Sequence, residues 1–179
     1  KEFLGLSGDR LKAMRSEIQA TADTYGKDFK ETLEGVDTIT SQWKVDAEEA
    51  LRTMNDGFAS GADLNGDMID KIKQYAPAFH DAGMSAQQMV AVIQQTRSGI
   101  FSDKGLDAIS KGSQRIREMS TATASSLDKI GISSKQVQAD LESGSKTTFD
   151  VLKEVSQKIQ TLPQDSQAVG EVMKDVFGK

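Results

Sequence analysis

The sequence predicts an all-α protein: an irregular multi-helix array of helix–turn–helix units, about eight or nine helices, with no sheet. Three observations predict it. Only two prolines interrupt 179 residues that are rich in Ala, Gln, Glu and Lys, all compatible with helix interiors. Apolar residues recur at three- and four-residue steps and do not alternate as in a strand. A small polar unit repeats along the chain at places where a helix would begin.

That unit is an apolar or basic residue, then Ser or Asp, then Glu or Gln three positions later. It occurs as Lys27-Asp28 with Glu31, Val45-Asp46 with Glu49, Met84-Ser85 with Gln88 and Ile132-Ser133 with Gln136. The side-chain oxygen can accept from the third backbone N–H while the Glu or Gln reaches back, so Asp28, Asp46, Ser85 and Ser133 read as structural helix caps. Gly26, Gly83 and Gly131 stand just ahead of three of them, where a preceding helix would end in the left-handed conformation. A glycine also closes the short helix after each cap: Gly35, Gly57 or Gly61, Gly99 and Gly144.

Element by element, helices are predicted over about 8–25, 28–42, 46–60, 67–82, 85–98, 103–130, 133–143, 146–161 and 165–177. In the first, Leu11, Met14, Ile18, Ala22 and Tyr25 form one stripe; in the fourth, Ile69, Ile72, Ala76 and Phe79 do the same. Pro77 removes a donor inside the fourth, which predicts a kink or restart there. The longest segment carries Leu106, Ile109, Ser113, Ile116, Ser120, Thr123, Leu127 and Ile130 at a heptad-like step. Three of those positions are small and polar, so the seam suits a bundle helix better than a self-associating coiled coil, and a monomer is expected in isolation. The last helix offers Val169, Val172, Met173, Val176 and Phe177 as a buried face. Asp46, Ser85 and Ser133 lie 39 and 48 residues apart, too uneven for a regular solenoid.

Composition bounds the rest. Leu, Ile, Val and Phe together fill 39 of 179 positions, just above disordered chains, which predicts a lightly packed core. Residues 1–62 read as N-terminal helices leading into a helical core over 63–179, the two forming one continuous globular unit. With Lys+Arg 22 against Asp+Glu 27 the net charge is −5, which supplies no overall basic field for nucleic acid. With no cysteine there is no disulfide framework. The longest apolar run, Met89 to Ile93, is too short to span a bilayer. With no basic-then-apolar leader and no starting Met, the chain reads as an internal fragment of something larger.

Candidate chemistry fails residue by residue. His80 is the only histidine, sits beside Phe79 and Asp81 at a helix end, and has no nucleophile motif with it. Asp63-Leu64-Asn65-Gly66-Asp67 resembles the start of a calcium loop, but the turn glycine is fourth instead of sixth and position twelve is Gln74. A linker ending in an Asp67 helix cap fits better. Lys104, Lys111, Arg115 and Arg117 lack interleaved aromatics and read as a solvated face. Glu48 and Glu49 are adjacent and point in different directions on a helix. No Gly-x-Gly-x-x-Gly phosphate loop occurs. No catalytic, cofactor-binding or metal residue is therefore assigned, no cofactor is expected, and the reading is non-enzymatic. Trp43, just before the Asp46 cap, is the one large aromatic at a helix junction; it can staple two helices or anchor a partner, and its place in a capping motif favours the staple.

From Gly57 onward an ordered series is similar to bacteriophage tail tape measure proteins. It runs through Gly57-Phe58, Gly61 to Asp67, Tyr75-Ala76-Pro77-Ala78-Phe79, Ala82-Gly83-Met84-Ser85-Ala86 and Gly99 to Ile109. It continues with Arg115 to Met119, Ala124-Ser125-Ser126-Leu127, Ile130 to Ser133, Gly144, Phe149-Asp150-Val151, Leu162-Pro163, Gln167 to Gly170 and Val176-Phe177-Gly178. The resemblance implies a structural virion protein of a phage or prophage, a scaffold that sets tail length. Its implied partners are tail tube, tail chaperone and baseplate proteins, and its implied location is the virion tail, after the bacterial host cytoplasm during assembly. The alternative is a cellular all-helical adaptor or scaffold module binding a protein partner.

Overall fold

In the computed structural model, residues 4–96 and 103–179 are described. Among them ten α-helices and no β-strand occur, in two compact units. One unit comprises residues 1–80 and 84–102; the other comprises 81–83 and 103–179. The packing divides at the turn after residue 80 and again at residue 103. Residue 62 lies inside the first unit, where Ala62 is only 4% exposed.

The first unit holds α1 (Gly8–Tyr25), α2 (Phe29–Trp43), α3 (Ala47–Ser60), α4 (Met68–Asp81, whose last residue belongs to the second unit) and α5 (Ala86–Thr96). Most of the predicted stripe residues are buried, Met14, Ile18 and Ala22 in α1 and Ile69, Ile72, Ala76 and Phe79 in α4, as are Val36 and Ile39 of α2; Leu11 is only half-buried and Tyr25, at the end of α1, is exposed. Gly35 and Gly57, read as helix stops, lie inside α2 and α3. Both are close-approach positions. A Cβ on Gly35 would meet Met54 at 2.9 Å, and one on Gly57 would meet Met68 Sδ and Val90 Cγ1 at 2.7 Å. Absent side chains there admit flexible thioethers, which fill irregular gaps well. α2 instead ends on Lys44, at φ 56, while α3 ends on Gly61, at φ 86, the second of the two stops read for it. α4 continues through Pro77 without restarting. The predicted stop at Gly99, and the last two residues of the 85–98 helix, lie outside the described residues.

The second unit holds α6 (Asp103–Glu118), α7 (Thr121–Lys129), α8 (Ser134–Ser143), α9 (Thr148–Gln160) and α10 (Gln167–Asp175). Ile116, Leu127, Ile130, Val137, Val151, Val155 and Val172 form its core, with Phe177 and Met173 packed against it. Gly112 lets α6 press onto α9, because a Cβ there would lie 2.8 Å from Leu152 Cδ2. Residues 81–83 are clipped to the start of α9: Phe149 N–H donates to the Ala82 carbonyl at 3.0 Å, and Gly83, at φ 81, lies against Thr147.

The predicted single helix over 103–130 is two helices. Met119 adopts φ 42 and Ser120 caps α7 by accepting from Thr123 N–H at 3.2 Å. Ser120, read as a polar member of the seam, is the residue that ends it. The three positions after it hold no Glu or Gln, so the cap carries none of the signature that marked the other four.

Candidate functional site: helix caps, the Trp43 junction and the 61–67 loop

The polar side chains singled out in the sequence are engaged at helix ends. Asp28 accepts from Lys30 N–H at 3.3 Å, Asp46 from Glu49 N–H at 2.7 Å and Ser133 from Gln136 N–H at 3.2 Å. Ser85 closes the full reciprocal box: its hydroxyl accepts from Gln88 N–H at 3.0 Å while Gln88 Oε1 accepts from Ser85 N–H at 2.9 Å. A second closed box escaped sequence reading. Thr147 accepts from Asp150 N–H at 3.1 Å and Asp150 accepts from Thr147 N–H at 3.0 Å. Ser166 caps α10 in the same way, through Val169 N–H. Thr147-x-x-Asp150 does carry the [ST]-x-x-[DE] spacing that would have found the second box.

Electrostatics follow these bonds. The Asp150 carboxyl lies below its ordinary value chiefly because the Thr147 backbone N–H bonds its charged form, with Lys153 adding to it. Lys129 holds the Glu171 carboxyl low, as Lys73 does that of Glu34. Lys146 is raised by Glu154 first and Asp140 second, at 2.7 and 3.2 Å. All four carboxyl–ammonium groupings sit at the surface, where ion pairs contribute little individually.

Trp43 is half-buried at the end of α2. Its indole N–H donates to the Met84 carbonyl at 2.7 Å, and its ring meets exposed His80 edge-on at 5.9 Å. The aromatic and the sole histidine therefore join the end of α2 to the end of α4 and the turn that follows it.

In the 61–67 loop the calcium-like residues are occupied internally. Asp63 accepts from Met68 N–H at 3.0 Å and pairs with the Lys27 ammonium at 2.7 Å, and Lys27 also reaches the Gly66 carbonyl at 3.3 Å. Asp63 thus does the capping expected of Asp67. Asp67 instead pairs with Lys71 at 3.0 Å, whose ammonium, buried in the unit, also bonds the Thr96 hydroxyl. Among the described residues no group of three or more His, Cys, Asp or Glu side chains could hold a metal ion.

The predicted basic face of α6 is split. Arg115 donates to the Lys174 carbonyl and Arg117 to that of Asp81, while Lys104 and Lys111 face solvent. Glu48 pairs with Arg10 at 3.3 Å beside an open groove of about 660 Å³ lined by Arg10, Asp37, Thr40, Lys44 and Asp46, among others; Glu49 reaches Gln87. Among the described residues no helix is long and apolar enough to cross a membrane.

Fold and polar groups together define an all-α protein of short, individually capped helices. The family is given by comparison: residues 4–178 match the family described as phage-related minor tail protein, and the chain belongs to it. It is a phage tail protein. No curated protein and no solved structure matches the chain.

Proposed function

We propose that this chain is a segment of a tail tape measure protein, a non-enzymatic scaffold that sets tail length. The observation that carries the reading is the family match, which runs unbroken from residue 4 to 178 and so spans both compact units. The ordered Gly-, Ser- and Phe-marked series from Gly57 to Gly178 narrows it from tail protein to tape measure.

Two physical features support it. The polar side chains with a pattern suggestive of chemistry serve caps, loop closure or helix junctions, which suits a structural role. Eight of the ten helices begin on a side-chain cap of their own or of the loop just before them, so those helices can part from their neighbours with that end still satisfied. A length scaffold needs that property. A compact unit of roughly 80 to 100 residues is about 30 Å across, while a lone helix with side chains is about 10–12 Å wide. A module that adds to tail length therefore opens when packed in the tube. Its proposed partners are the tail tube, the tail chaperone and the baseplate, met in the host cytoplasm during assembly.

In-frame removal of the 179 codons from the parent gene tests the reading by electron microscopy of the tails. A contribution of about 1.5 Å per residue predicts tails shorter by about 270 Å. Tails of unchanged length would count against it.

A further inference from the structure

We infer that the α6–α7 break is a two-state hinge, held broken by α10, that closes into one continuous helix over 103–130 when α10 lets go. The inference rests on the scaffold reading only for its purpose, since such a rod is the narrow form a length scaffold needs; the hinge itself is a property of the chain alone.

Four observations place it here. Only Met119 and Ser120 are non-helical between α6 and α7, and Met119 holds φ 42, a left-handed conformation that costs an ordinary side chain free energy. The two sides are already helical up to the break: Met119 N–H donates to Arg115 O at 2.9 Å and Ala124 N–H to Ser120 O at 2.9 Å. No proline or glycine lies between Ser113 and Ile130, so nothing covalent forbids a helix across it. The buried stripe keeps helical register through the break, Leu106, Ser113 and Ile116 on one side and Thr123, Leu127 and Ile130 on the other.

What opposes closure is equally local. Thr123 Oγ1 donates to the Asp175 carbonyl at 3.3 Å, Ser126 Oγ to Asp175 Oδ2 at 2.5 Å, and Lys129 Nζ pairs with Glu171 Oε2 at 2.5 Å. All three acceptors belong to α10. Leu127 and Ile130 are also buried in the unit's core, and Asp128 bonds Ser134 at 2.8 and 3.0 Å, which joins α7 to α8, the next helix in the chain. Closure would also let the N–H groups of Ser120 to Thr123 take helical acceptors, in exchange for the Ser120 cap.

Because the chain has no cysteine, spin labels at Lys104→Cys and Ser125→Cys report the hinge uniquely by pulsed electron resonance. Both positions are exposed. A continuous helix sets their backbones about 32 Å apart, the upper limit for this segment kept helical, and the broken form gives a shorter distance. Asp175→Ala with Glu171→Ala is expected to add a population at the rod distance. Met119→Gly in that background is expected to shrink that population about fivefold, since glycine takes a positive φ readily and weakens a helix interior. Should the double variant lose its helical circular dichroism, Ser120→Ala decides, because it removes the cap alone and is also expected to add the rod population. A single short distance in every folded variant, or no response to Met119→Gly, would overturn the hinge whatever the tail-length experiment gives.

Discussion

At the scale of single residues, glycine does two different jobs here, and the sequence distinguishes them only in part. Gly26, Gly83 and Gly131 were legible as helix stops because a capping unit follows each, and all three have positive φ. Gly35 and Gly57 were not legible as packing positions, because what demands them is a methionine distant in sequence reaching their Cα. The difference predicts unequal costs. Gly83→Ala meets both a φ of 81 and Thr147 Cγ2 at 2.3 Å, so a loss of about 2–4 kcal/mol is expected in urea unfolding. Gly144→Ala has the positive φ but open space, and about 1–2 kcal/mol is expected. Equal losses would refute the close approach at Gly83. Asp150 sets a pH dependence. Its carboxyl lies below the ordinary 3.8 in the folded chain, so its contribution is complete above that value and vanishes as pH falls through the lower folded value. Asp150→Asn should therefore flatten the loss of stability below about pH 4, seen as a smaller difference in Tm between pH 6 and pH 3.

At the scale of elements, the capping units made four of the ten helix starts readable, those of α2, α3, α5 and α8. Eight of the ten helices had a predicted segment of their own and α6 and α7 shared one; the break at Met119 and Ser120 was missed because periodicity runs through it and the cap lacks its usual third-position partner. The junction at Trp43 illustrates what sequence leaves open. Its position suited either a staple or a partner anchor, and the indole bond to the Met84 carbonyl, a residue 41 positions away, could not be read from spacing. Trp43→Phe keeps most of the ring area and removes only that donor, so a loss of about 1 kcal/mol in the midpoint-derived stability is expected. An unchanged midpoint would mean that the bond contributes nothing and that the ring is free for a partner. Ser85→Ala opens the reciprocal box at α5 and is expected to cost about 1 kcal/mol by the same measurement.

At the scale of the molecule, all-α architecture was fully legible, since helix formers, few prolines and repeated caps agree with one another. The partition was not. Residues 81–83 join the second unit through the Phe149–Ala82 backbone bond, the Arg117 bond to the Asp81 carbonyl and the Gly83 contact, features that composition does not mark. Function was legible only as an ordered series of short motifs, because each motif alone is a cap or a glycine stop of the kind any helical protein uses. What joins the scales in the proposed function is that helices with caps of their own can serve as units of length. The most direct test is tail length across three parent genes, with the 179-residue segment deleted, single and duplicated in frame. A linear series with a step of about 270 Å is expected for a segment counted at about 1.5 Å per residue. Tails of one length across all three would contradict the account.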